Sequence, residues 1–235
     1  MSESSWTGIW SGRSVPDVRS DSVLGDLLGA DGYDNAQSSF SEDAWREHIM
    51  GWADRLGIRS GDSVFEVGCG AGAALYVLAE AGARVAGMDL SPGLIATAAR
   101  VMPDGSFEVG EAVDLPPAPQ VDVCLAVGVF MYFPSLDYAR SVVAAMAAKA
   151  TRAVALLDLP DLAKRDSSEA FRVDMAGGPD AYRERYAGLE HRYYDKGVVV
   201  AMLEEAGLVD VACADQDLDG YPNGAYRFNA WGFKA

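Results

Sequence analysis

Three features of this 235-residue sequence predict an α/β fold: a doubly wound, seven-stranded sheet with an antiparallel C-terminal hairpin and a helical cap inserted after strand 5. A strand, a glycine-rich turn and a helix follow one another over Ser63–Ala81, the arrangement that opens a nucleotide-binding βαβ unit. Apolar runs then alternate with helical patterns as far as Leu157, which calls for a parallel sheet covered on both faces. Two apolar runs near the C-terminus are joined by a loop without a helix, so they can pair only as an antiparallel hairpin.

The elements follow in order. Residues 1–40 are rich in Ser, Asp and Gly, with Trp6, Trp10 and Tyr33 as isolated aromatics, and read as an arm with hydrophobic anchors preceding a domain over 41–235. Ser41 caps a helix over Glu42–Leu56, in which Trp45, Ile49, Trp52 and Leu56 share one side at helical spacing. His48 lies close to that stripe, which suits a structural role. Ser63–Val67 is a buried strand, set off by the turn signal Gly61–Asp62. Ala73–Ala81 is an Ala/Leu-rich helix closed by Gly82, its N-terminus offering free N–H donors beside the glycines. Arg84–Asp89 is the second strand. Ser91 as cap and Pro92 at the first position open a helix to Arg100, and Phe107–Val109 is the third strand.

Proline is too dense in Leu115–Pro119 to propagate a helix, so the helix often found there is missing or reduced to a turn. Val121–Val127 is nearly all apolar, as a central parallel strand buried on both faces requires. Ser135 caps a helix to Ala148, Arg152–Leu157 is the fifth strand, and Asp158–Leu159–Pro160–Asp161 terminates it. The cap, about residues 162–195, holds two charged amphipathic helices, Ala163–Val173 and Pro179–Leu189, split by Gly177–Gly178. Lys196–Ala206 is a helix, and Leu208–Ala214 and Tyr226–Phe233 are the hairpin strands, joined by Asp215–Ala225.

Composition narrows the function. Nineteen Lys and Arg against 35 Asp and Glu give a net charge of −16, which repels a phosphate backbone and disfavours nucleic-acid substrates. A small-molecule substrate is favoured. No apolar run is long and clean enough to cross a membrane, and Met1–Ser5 is polar, without a signal-peptide core. Cys69, Cys124 and Cys213 have no metal-ligand spacing and read as free thiols of a cytoplasmic protein, so no metal site is expected. A monomer or a homodimer is compatible with these features.

Gly68, Gly70 and Ala73 satisfy a dinucleotide fingerprint, whose helix N-terminus receives a pyrophosphate. Glu66 beside the turn argues for a different ligand, since a carboxylate repels pyrophosphate and pairs with an amino group. The run Glu66–Val67–Gly68–Cys69–Gly70–Ala71–Gly72 resembles the first motif of the class I S-adenosylmethionine (SAM)-dependent methyltransferases, an acidic residue followed by G-x-G-x-G. Asp89 follows the glycines by the roughly 20 residues expected of a carboxylate that binds ribose hydroxyls, with Leu90 next to it.

The resemblance implies a Rossmann-like methyltransferase sheet and SAM as cofactor, and its antiparallel last strand suits the hairpin. It implies that Glu111, in place of the usual Asp before Ala112, accepts from the adenine amino group. It also implies that Gly128 and Val129 line the cofactor while Tyr132 and Phe133 face the acceptor. Residues 1–40, with Tyr33, then become a flap over the cofactor. His191, in the group His191–Arg192–Tyr193–Tyr194–Asp195 just after the cap, is the preferred base, with Tyr194 and Tyr132 as further catalytic candidates. Asp158 is the runner-up. Tyr221, Asn223 and Arg227 are placed to hold a polar or acidic acceptor, Arg227 as a bidentate carboxylate ligand or else as a surface ion pair. Methyl transfer to an O or N atom of a small metabolite, in a secondary pathway, is the function implied. A C-methyltransferase, a SAM-binding protein with a regulatory or non-methylating role, and an NAD-dependent oxidoreductase are the alternatives.

Overall fold

The computed structural model describes residues 6–11, 22–33 and 40–235, so the readings of Met1–Ser5 and of the rest of the first 40 residues lie outside it. Two short helices, α1 (Trp6–Ser11) and α2 (Val23–Ala30), precede α3 (Glu42–Arg55). The sheet then builds through β1 (Ser63–Val67), α4 (Ala73–Glu80), β2 (Arg84–Asp89), α5 (Pro92–Val101), β3 (Ser106–Val109), β4 (Val121–Val127), α6 (Leu136–Lys149) and β5 (Ala150–Pro160). The cap helices are α7 (Arg165–Met175) and α8 (Pro179–Tyr186). The chain ends with α9 (Lys196–Glu205), β6 (Leu208–Asp215) and β7 (Arg227–Lys234).

The strand order is β3-β2-β1-β4-β5-β7-β6, with β1 to β5 parallel and β7 antiparallel to both of its neighbours. Strand period decides which face each side chain covers. Val123 and Leu125 of β4 join the cluster formed with α2, α3, α4 and α5, while Cys124 and Ala126 join the opposite cluster, with α6 and α9. Between β3 and β4 only a 3-10 turn at Ala112–Asp114 remains, as the prolines require, and Lys149 donates to the carbonyls of Pro116 and Pro119 at 3.1 Å.

The cap helices shift from their expected bounds, α7 by two residues at each end and α8 by stopping at Tyr186 instead of Leu189, and the fifth strand is corrected too. β5 does not end at Leu157 but runs to Pro160, because β7 lies alongside and pairs Leu159 with Phe228 and Pro160 with Arg227. Asp158 is therefore a residue within the strand. It sits at a register irregularity with φ of 63°, where it re-aims its side chain, as residues at bulges do. Cys213 is half-buried in β6, an edge strand, while Cys69 and Cys124 are buried. Among the described residues no helix is long and apolar enough to cross a membrane, and no cluster of His, Cys, Asp and Glu is arranged to hold a metal.

Connections leave β1 in one direction towards β2 and return on its other side at β4, which makes the carboxyl ends of β1 and β4 the topological switch point. The crevice there is the site described next.

Candidate functional site

A cavity of about 1190 Å³ opens at the carboxyl ends of the parallel strands, walled by the glycine turn, the strand ends, α1, the segment after α2 and the cap. Its first wall is the turn after β1, where the amides of Gly68 and Cys69 both donate to the Met88 carbonyl, at 2.8 and 3.0 Å. Gly70 has φ of 55°, and a Cβ there would collide with Asp31, the residue that ends α2. Asp31 accepts from the amides of Ala71 at 2.5 Å and Ala73 at 3.1 Å. Asp89 accepts from Gly70 N at 3.0 Å and from Ser91 N at 2.8 Å. The expectation of free N–H donors at this turn is thus corrected, because these amides are held by two carboxylates of the chain itself.

Glu66 stands on β1 just before the turn, 3 % exposed, and its Oε2 is buried without a hydrogen-bond partner. Burial first, then the charges of Asp31 and Asp89, holds its carboxyl well above the usual carboxylate range. Burial also raises Asp89, against the opposing effect of its bonds from Ser91 and Gly70. Among the described residues no ion pair reaches Glu66 or Asp89. The wall is an acidic pole whose charge a positively charged group would complete.

Gly68, Cys69, Gly70, Leu90, Glu111, Ala112, Gly128, Val129 and Tyr33 all border this cavity, as do Glu66 and Asp89. Gly72 does not. It caps α4 with φ of 90° and donates to the Cys69 carbonyl at 2.8 Å, so its part is to turn the chain into the helix. Glu111 accepts from the Tyr138 hydroxyl at 2.9 Å, and burial together with that carboxylate pushes Tyr138 up to about 12. Gly128 has φ of 65°, and a Cβ on it would come within 3.0 Å of the Tyr33 hydroxyl. Tyr33 is fixed by rings on several sides, with centroids at 5.3 Å to Phe40, 5.2 Å to Trp45 and 6.3 Å to Tyr221. Trp45 thus borders the cavity while its indole N–H donates to the Ala73 carbonyl at 3.2 Å.

The group His191–Asp195, read as one cluster from sequence, is divided by the fold. His191 and Tyr193 face the cavity, and Tyr193 donates to Ser168 at 3.1 Å. Tyr194 is a correction: it is 1 % exposed in the core under the cavity and donates to the Phe130 carbonyl at 2.8 Å, so it is anchored away from any acceptor. Arg192 donates to the carbonyls of Phe133 and Pro134 and ties the cap to the β4 loop. Asp195 caps α9, accepting from Val198 N at 3.1 Å, and does not pair with His191. His191 packs against Trp6 at 5.0 Å and Tyr132 at 5.5 Å between ring centroids, with Nε2 buried and without a partner. Burial, and then the charges of Arg172 and Arg227, holds it well below the ordinary histidine value, so the ring is neutral. His48 lies outside this cavity and pairs with Asp217 at 3.2 Å.

Asp158 faces the cavity from β5, accepting from the Tyr221 hydroxyl at 3.1 Å and from Gln216 at 3.5 Å, while Asn229 accepts from its backbone N–H at 2.8 Å. Burial raises its carboxyl against the lowering effect of Arg227. Arg227 is not a surface ion pair. It is 3 % exposed at the start of β7, its Nε has no partner, and its Nη1 donates only to the Met131 sulfur at 3.6 Å. Asn223 borders the same space with Oδ1 buried and unpartnered. Sequence reasoning missed Asp31 and Arg172. Asp31 sat in a stretch read as an arm, where the Leu-rich turn pair before Asp31–Gly32 was the available signal. Arg172 was one charge among many on a cap helix, and only its burial, at 3 % exposed, separates it from the rest.

Residues 64–152 match the family model described as a methyltransferase domain. Among solved structures the chain is similar to magnesium protoporphyrin IX methyltransferase (ChlM) from Synechocystis PCC 6803 with bound SAH, at 16 % identity and a TM-score of 0.60 over 82 % of this chain and 84 % of that one. It is also similar to DesVI of Streptomyces venezuelae, at 15 % identity and a TM-score of 0.59 over 83 % and 93 %. A TehB-like SAM-dependent methyltransferase from Corynebacterium glutamicum matches at 19 % identity and a TM-score of 0.56 over 88 % and 91 %. At these identities the likeness establishes the fold. No curated protein matches.

Proposed function

The chain carries a methyltransferase domain on a class I methyltransferase fold, and we propose that it transfers a methyl group from S-adenosylmethionine to an oxygen or nitrogen atom of a small-molecule acceptor. The observation that carries this reading is Glu66, a buried carboxyl with an oxygen lacking any partner, next to Asp89 and Asp31 at the glycine turn. Ionising a buried carboxyl without a counter-charge is costly, and a cation beside it is the group that favours its charged form. SAM brings an ammonium and a sulfonium and no phosphate. The turn's amides, already bonded to Asp31 and Asp89, are closed to a pyrophosphate, which also opposes the dinucleotide alternative.

Glu66 is assigned to the cationic methionine end, Asp89 to the ribose diol and Glu111 to the adenine amino group. Each Asp89 oxygen accepts one amide, and a carboxylate oxygen has capacity for a second donor, so capping and ribose binding are compatible. When bound, the cofactor supplies an already activated methyl group on sulfur. The chain's own contribution is to hold the acceptor and remove its proton. Orientation in a closed site is worth up to about 7–11 kcal/mol. His191, which borders the cavity as a neutral ring with Nε2 unpartnered, accepts the acceptor's O–H or N–H proton at Nε2. Asp158, the alternative, is committed to Tyr221 and Gln216. The described parts of residues 1–40 border the cavity at both ends, Asp31 and Tyr33 at one and Trp6 and Trp10 at the other, which supports their role as a flap.

Thermal melting tests this reading. SAM and S-adenosylhomocysteine should each raise the melting temperature, and NAD should leave it unchanged. Stabilisation by NAD alone would return the chain to the dinucleotide class.

A further inference from the structure

The cavity holds a second, oppositely charged end that the cofactor reading does not use. In a chain of net charge −16, two guanidiniums are buried in one wall, Arg172 of α7 and Arg227 of β7, each 3 % exposed. Neither has a carboxylate within 4.0 Å among the described residues, whereas five surface arginines, Arg46, Arg59, Arg140, Arg165 and Arg183, are each paired with one. Burying a guanidinium without a counter-charge is costly, and folds normally avoid it. Arg172 is held by aromatic faces instead, 5.4 Å from the Tyr182 ring and 5.2 Å from that of Tyr186. Arg227 has only the Met131 sulfur, a weak acceptor, and an unpartnered Nε. Asn223, four residues earlier, presents a buried polar end that also lacks a partner. Both guanidiniums lie close enough to His191 for their charge to act on it, and Tyr132 and Tyr193 act on Arg227 in turn.

We infer that this end of the cavity is an anion-binding subsite, and that the methyl acceptor is a molecule with a carboxylate, which Arg227 takes on its guanidinium while Arg172 supplies the second charge. The inference rests on the methyl-transfer reading and names the acceptor class for it. A planar fork of N–H donors matches the two oxygens of a carboxylate. Asp158, close to Arg227, offsets part of the positive charge, so a single negative charge balances the site better than a doubly charged phosphate does. Aromatic side chains line the same wall (Trp6, Tyr132, Tyr186 and Tyr193), and they suit an acceptor whose body is flat and apolar. The anchored carboxylate then leaves the rest of the acceptor between His191 and the acidic pole, where the reacting atom belongs.

Benzoate and benzamide, equal in shape and different in charge, are the probes, titrated by calorimetry and thermal melting into the full chain saturated with S-adenosylhomocysteine. Benzoate should bind and benzamide should not. Arg227→Met should weaken benzoate roughly tenfold or more, the scale of a lost charge-assisted bond, and Arg172→Met should weaken it less. Both variants should keep the melting shift given by S-adenosylhomocysteine, which also reports that they fold. Equal binding of benzoate and benzamide, or benzoate binding unchanged in both variants, overturns the subsite. Binding of inorganic phosphate in preference to benzoate overturns the carboxylate assignment. Absence of any shift with S-adenosylhomocysteine in the unmodified chain would instead bring down the methyl-transfer reading beneath it.

Discussion

At the glycine-turn end of the cavity the charged side chains are carboxylates, Asp31, Glu66 and Asp89, and two of them are fastened to backbone amides. At the cap end two buried guanidiniums, Arg172 and Arg227, have no carboxylate within 4.0 Å among the described residues, while Arg165, Arg192 and Glu190 border the same end. The first end is assembled by the parallel strands and the turns that follow them, and its geometry comes with the fold. The second is assembled from a cap helix, a hairpin strand and α1, elements that a doubly wound sheet does not require. The contrast teaches that the common part of the site has its turn amides bonded to its own carboxylates and leaves one buried carboxyl, Glu66, for a cation. The part that chooses an acceptor is left electrostatically incomplete. His191 and Asp158 belong to this second end, within reach of its arginines' charge.

The largest effect should come from removing the base. His191→Ala should lower kcat by a hundredfold or more and leave SAM affinity within about twofold, the pattern of a lost general base. The sign of the pH dependence follows from burial and the two arginines, which hold the folded-state value below the ordinary one. The base works when neutral, so the rate should be flat above about pH 6.5 and fall only as pH drops through that lowered value. A variant that keeps both rate and profile would move the proton-accepting role to Asp158, with Asp158→Asn as the next measurement.

Next in size is the acidic end. Asp89→Ala should weaken SAM by about 1.5–3 kcal/mol, roughly ten- to 150-fold, and lower the melting temperature without ligand, because Gly70 and Ser91 lose their acceptor. Glu66→Gln separates affinity from stability. The folded carboxyl lies above its unfolded value, so its ionisation opposes folding once pH rises above about 4.3. The glutamine variant should therefore melt no lower than the wild type at neutral pH while binding SAM more weakly. In the wild type a cation beside Glu66 favours the carboxylate, so SAM binding should release protons, measured by calorimetry in buffers of different ionisation enthalpy. A stability loss with affinity kept would make Glu66 structural.

The smallest effect checks a residue that belongs to neither end. Tyr194→Phe removes the bond to the Phe130 carbonyl and should cost about 0.5–1.5 kcal/mol of stability with kcat unchanged. A loss of rate without a loss of stability would return Tyr194 to the site.

The unequal legibility of the two ends has the same origin. Glu66, the glycines and Asp89 are set by backbone demands at fixed spacing, which one sequence displays openly. The seven strands and the final hairpin were equally visible, since apolar period and turn residues determine them. His191–Asp195 was contiguous in sequence, yet extended backbone sends neighbours to opposite sides, so Tyr194 went to the core as His191 and Tyr193 went to the cavity. The end of β5 was misplaced because pairing with β7, distant in sequence, carries the strand past Asp158. Arg172 gained its position from tertiary contacts that no local pattern announces, whereas Asp31 ends a Leu-rich helix whose local signal the arm reading passed over.

The division of the cavity into two independent ends is tested most directly by one crossed binding measurement. S-adenosylhomocysteine is titrated into the wild type, Glu66→Gln and Arg227→Met, and benzoate into each once saturated. The expected result is reciprocal: Glu66→Gln weakens S-adenosylhomocysteine and leaves benzoate unchanged, while Arg227→Met does the reverse. If either substitution weakens both ligands equally, the two ends are not separate binding sites and the division is wrong.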